Sequence, residues 1–174
     1  DGAQPPRLLF TATPPQGVAI EDATLTPLGH RVLLTYSVRH PPAPRQALGE
    51  DDYDLAPCMG VPITWAELRD RKSGALVASQ QLTGWTAPTA LARDGQVLLG
   101  GGFMASCEAD LKAGVIALDA GLQSRLVYRD ESLGWSEVRA LGATTDGGAL
   151  IAAPAKPNWL LTFSVTPKGS HVIG

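Results

Sequence analysis

A chain of 174 residues with 44% hydrophobic and 18% charged side chains is long enough for one domain with a core, and too apolar to stay disordered. Its formal net charge of −3 offers no basic face for nucleic acid. No stretch approaches the roughly eighteen consecutive apolar residues of a membrane span.

Short β-rich runs bounded by Gly, Pro, Asp and Ser follow one another along the chain, and convincing helical periodicity is absent. A strand is expected within 7–13, over Arg7-Leu8-Leu9-Phe10. A first unit, 17–83, carries the strand that opens at Gly29-His30-Arg31-Val32-Leu33-Leu34-Thr35. The strand Ile63–Leu68, the turn Asp70-Arg71-Lys72-Ser73-Gly74 and the strand Ala75–Ala78 complete it. The second unit, 84–133, runs from Gly84-Trp85 through Asp94-Gly95-Gln96-Val97-Leu98-Leu99-Gly100 to Val115–Leu118, Asp119-Ala120-Gly121 and Arg125–Tyr128. The third, 134–174, runs from Gly134-Trp135 through Asp146-Gly147-Gly148-Ala149-Leu150-Ile151-Ala152 to Trp159–Phe163, Thr166-Pro167-Lys168-Gly169 and His171–Ile173. Gly and Asp at these turns supply positive φ and local hydrogen bonds.

Gly84 and Gly134 lie 50 residues apart, a period near that of a four-stranded propeller blade. The expected fold is therefore all-β: one segment over 1–174, with about three four-stranded antiparallel blades and the extra N-terminal strand. Closed propellers use about four to eight blades. The chain is accordingly expected to be a fragment of a larger propeller, or to be completed by a second copy or a partner subunit.

The run Asp94–Leu99 through Val115-Ile116-Ala117-Leu118-Asp119-Ala120 to Leu126-Val127-Tyr128 resembles the PQQ-like repeat of bacterial β-propellers, in which a strand ending "ALD" precedes a turn and a closing strand. Thr145-Asp146-Gly147-Gly148 followed by Trp159-Leu160-Leu161 resembles the extracellular propeller repeat with a "TSDGG" turn. The "T-G-x-x-x-W" ending of PQQ repeats is missing, since Leu126-Val127-Tyr128 and Ala75-Leu76-Val77 lack the Trp. The resemblance thus implies a propeller scaffold rather than a quinone site.

Cys58 and Cys107 fall in corresponding loops of the first two units, and a disulfide between them is expected. The bridge would close a loop worth about 4 kcal/mol on chain-entropy grounds and requires an oxidising compartment. The longest loop, 40–62, carries Asp51, Asp52, Tyr53, Asp54 and Met59, expected to contact a partner. Its carboxylates are oxygen donors suited to Ca2+, although the spacing is not that of an EF-hand. Trp85 and Trp135 recur at matched positions, where packing between units is expected. Gly100-Gly101-Gly102 opens no helix and reads as room for a bulge rather than a phosphate cradle.

No nucleophile elbow, metalloprotease motif, Walker loop or Rossmann fingerprint occurs, and His30, His40 and His171 have no ligand spacing. No catalytic or metal residue is therefore expected. Four Lys against ten Arg, with Asn158 the single Asn, fit a GC-rich bacterial genome. The chain opens at Asp1 without a charged-then-apolar leader, so any signal peptide is expected to be already absent. The function expected is an exported, periplasmic or secreted, binding or scaffold module that recognises a protein or glycan through loops 40–62 and 103–113. The alternative is a lactonase- or quinoprotein-dehydrogenase-like propeller enzyme, completed by other blades or subunits.

Overall fold

A computed structural model of the chain describes residues 10–12, 18–39, 61–93, 95–106, 109–130, 136–144, 149–155, 159–166 and 169–172. Side chains are described as far as Pro154, those of Arg39 and Arg93 excepted. The described residues are all-β, with twelve strands. The first sheet comprises β1 (Ala19–Leu28), β2 (Arg31–Arg39), β3 (Ile63–Asp70) and β4 (Leu76–Thr83). The second comprises β5 (Trp85–Arg93), β6 (Gln96–Phe103), β7 (Lys112–Leu118) and β8 (Ser124–Arg129). The third comprises β9 (Ala140–Ala143), β10 (Ala149–Ala155), β11 (Trp159–Thr166) and β12 (Gly169–Val172). Each is a four-stranded antiparallel meander whose strands pair in chain order. Among the described residues no helix is long and apolar enough to cross a membrane.

Turn chemistry sets the hairpins. Gly29, Gly74 and Gly95 take positive φ in the turns after β1, β3 and β5. Asp70 Oδ1 accepts bonds from Ser73 N at 2.7 Å and Lys72 N at 3.0 Å. Asp119 Oδ1 accepts from Gly121 N and Gln123 N, both at 2.8 Å. A side chain that satisfies turn N–H groups in this way holds its strands in one register.

The sheets stack in chain order. Leu33, Ala66, Leu68 and Leu82 of the first sheet close one core cluster with Val97, Leu99, Ile116 and Leu118 of the second. Ala113 and Val115 of the second sheet close another with Val138, Ile151 and Ala153. Alternation sends successive residues of a strand to opposite faces. Leu98 and Leu99 therefore serve different clusters, and β6 and β7 are buried on both sides. Among the described residues no sheet closes on itself. On the first sheet's outer face Leu25 keeps 61% of its surface exposed.

Gly100, Gly101 and Gly102 make room for neighbours rather than bulging themselves. The bulge lies on the partner strand β5, between Thr86 and Thr89. A Cβ on Gly101 would sit 1.7 Å from Thr86 O, one on Gly100 2.7 Å from Val138 Cγ1, and one on Gly102 2.6 Å from Leu111 Cγ.

Candidate functional site

The meander topology gives the stack two unlike ends. The turns after β1, β3, β5 and β7 share one end. The ends of β2 and β6, the starts of β3 and β7 and the β4–β5 crossing share the other.

Asp51, Asp52, Tyr53, Asp54, Met59, Cys58 and Cys107 lie outside the described residues, and so does most of the expected strand 7–13. The anchors of the two connections are described. Gly84, at φ +83, donates its N–H to Pro62 O at 2.8 Å and accepts Met104 N–H at 2.8 Å. One residue thus joins the close of the first connection to the start of the second. No side chain fits there, because a Cβ on Gly84 would lie 2.7 Å from Met104 O. Next to it Trp85 packs at 5.4 Å against the Phe103 ring and covers Gly114. Trp85 is therefore core packing, whereas Trp135 lies outside the described residues.

Behind Gly84 runs a buried polar relay. Ala87 N donates to Ser37 Oγ at 3.1 Å, Ser37 Oγ and Thr64 Oγ1 are 2.9 Å apart, and Thr64 Oγ1 donates to Trp85 O at 2.7 Å. An amide N–H can only donate and a carbonyl can only accept, so the proton order is forced. Ser37 must donate to Thr64. The chain begins and ends on β5 and ties it to β2 and β3.

Three buried acids, Glu67, Glu137 and Asp130, are likewise engaged. Glu67 accepts from Tyr36 Oη at 3.0 Å and from Arg69 Nε at 2.8 Å, while Arg69 Nη1 reaches Gly74 O at 3.0 Å and its guanidinium lies 4.5 Å over the Phe10 ring. Burial, with the hydrogen bond to Glu67, pushes the Tyr36 hydroxyl up to about 12. Glu137 accepts from Thr86 Oγ1 and pairs with Arg139 at 3.0 Å. Tyr128 donates to Asp130 at 2.6 Å, and its hydroxyl is raised by burial and by that carboxylate. Tyrosines shifted upward are poorer proton donors and nucleophiles at neutral pH.

At the turn end a cleft of about 410 Å3 opens between the first and second sheets. Leu68, Val97, Leu118 and Leu122 floor it, and His30, Arg31 and Asp119 stand among its walls. Sequence reasoning missed this cleft, because its lining comes from turns far apart in the chain that only the stacking of sheets brings together. Among the described residues no group of three or more His, Cys, Asp or Glu converges as metal ligands. Comparison with known proteins finds no matching family model, no matching curated protein and no matching solved structure.

Proposed function

We propose that this chain is a non-catalytic, exported binding or scaffold module of the β-propeller kind. Its three sheets act as consecutive blades, and segments 40–62 and 103–113 together recognise a protein or glycan. The observation that carries this reading is Gly84, whose two backbone bonds hold the anchors of both segments at one end of the stack. Supporting it, Glu67, Glu137, Tyr36 and Tyr128 are bonded to neighbours in the fold, which gives these side chains structural roles. The second sheet's two buried faces set the pattern that neighbouring blades, from a longer chain or a second copy, would repeat on the first sheet's outer face.

A glycan array and cross-linking to exported proteins test recognition, with Asp51, Asp52 and Asp54 replaced by Ala. Loss of a captured partner with unchanged circular dichroism supports the reading. Unchanged capture removes that loop from it, and metal- or quinone-dependent turnover by the chain overturns it. Mass in solution with and without reductant, alongside thiol titration, tests the Cys58–Cys107 bridge and the completion by a second copy. A stable 18.2 kDa monomer argues against self-completion.

A further inference from the structure

The cleft at the turn end lies opposite the Pro62 and Met104 anchors of the segments assigned to partner recognition, and its chemistry is different. Its floor is apolar: Leu68, Val97, Leu118 and Leu122 are each at most 2% exposed overall, yet they line an open cavity of about 410 Å3. That volume falls in the range of about 300–1,000 Å3 typical of small-molecule sites. Leu122 is held at φ 64, a conformation unusual for a branched aliphatic residue. The Asp119 turn enforces it, with Leu122 N donating to Asp119 O at 2.9 Å. The chain accepts a strained backbone here while keeping a leucine, rather than a glycine, in the floor.

The charges around the cleft are unequal in availability. Arg31 opens β2, and alternation places it on the same face as Leu33, toward the second sheet. Its cross-strand neighbour is Asp70, whose Oδ1 takes three bonds from Lys72 and Ser73. Asp119, across the cleft, gives its Oδ1 to Gly121 and Gln123. Both carboxylates are thus turned to their own hairpins, and among the described residues the Arg31 guanidinium has no ion pair or hydrogen bond. His30 stands beside it on the cleft wall.

We infer that this cleft binds a small apolar molecule carrying one anionic head, of the medium-chain carboxylate type. The hydrocarbon lies against the accessible Pro27, Leu28, Ala92 and Ala120, over the buried Leu68, Val97, Leu118 and Leu122, and the head pairs with Arg31. An arginine–carboxylate pair at the mouth of an apolar site supplies orientation as well as affinity.

Calorimetric titration of the full chain with decanoate and with decanol tests the assignment. Amide chemical shifts of Gly95, Ala120 and Leu122 locate the bound molecule. The expected result is that decanoate binds about tenfold more tightly than decanol, with shifts confined to the cleft. Arg31→Gln should erase that preference and leave decanol unchanged. Ala120→Trp, at an exposed position on the rim, should block both probes and keeps the test open if Arg31→Gln fails to fold. Absence of binding by either probe, equal affinities for the two, a preference that survives Arg31→Gln, or binding that survives Ala120→Trp overturns it.

Discussion

The two junctions between sheets solve one problem with different materials. Where the first sheet meets the second, the amide of Ala87 and the carbonyl of Trp85 are satisfied by side chains, through the Ser37–Thr64 hydroxyl pair. Where the second meets the third, the backbone itself bridges. Ser136 N and Val138 N donate back to Leu111 O and Gly101 O at 2.8 and 2.9 Å, and Arg139 N donates forward to Ala152 O at 2.8 Å. A segment whose alternate amides bond to alternate sheets acts as a shared edge. The first junction is therefore vulnerable to loss of a hydroxyl, and the second to anything that prevents close approach of backbones.

That contrast can be broken at several points, the strongest effect first. Gly101→Ala should be the most damaging change, since its Cβ meets the Thr86 carbonyl on β5, and Gly101's own carbonyl is the one that accepts Val138 N. A loss of more than about 3 kcal/mol, or failure to fold, is expected in urea denaturation. Leu118→Ala, in the cluster between the first two sheets, should cost about 2–5 kcal/mol by the same measurement. Leu126→Ala, at a leucine 51% exposed on β8, should stay within about 0.5 kcal/mol.

Ser37→Ala strands the buried amide of Ala87 and should cost about 1–3 kcal/mol. Ser136→Ala should cost less, because only its hydroxyl bond to Pro154 O is lost and the backbone bridge survives. Equal costs for the two serines would erase the distinction between the junctions.

A further effect is a pH dependence. The Tyr36 hydroxyl is raised from 10.0 to about 12 in the folded chain. Between those values the unfolded chain has released this proton and the folded chain retains it, so stability declines as pH rises across that window. Tyr36→Phe should flatten the alkaline slope of the urea midpoint without abolishing it, because Tyr128 is raised as well. An identical slope in the variant would show that the Tyr36–Glu67 bond does not couple ionisation to folding.

Much of the fold was legible along the chain. The Gly29, Gly74 and Gly95 turns, the aliphatic runs of β2, β6 and β7, and the four-strand antiparallel grouping all follow from local signals. β1, β5, β9 and the far half of β4 were not. In β1 and β4, Glu21, Asp22, Ser79 and Gln80 carry little apolar alternation, and these two segments become strands through pairing with β2 and β3. The triple glycine was legible as a place needing space, but the bulge belongs to β5, because the crowding comes from the partner backbone. Ser37 and Thr64 look like ordinary polar strand residues, yet both are fully buried.

The sequence by itself determined the hairpin turns and the aliphatic strands β2, β6 and β7, since hydrogen bonds within a turn depend on residues only a few positions apart. Tertiary structure alone decided which polar groups are interior and which face a cleft. It buried Ser37 and Thr64 against β5, engaged Glu67 and Glu137, and placed Arg31 at an apolar cleft with no ion pair among the described residues. Burial and charge pairing depend on what a face packs against, and for this chain the opposing face comes from another sheet.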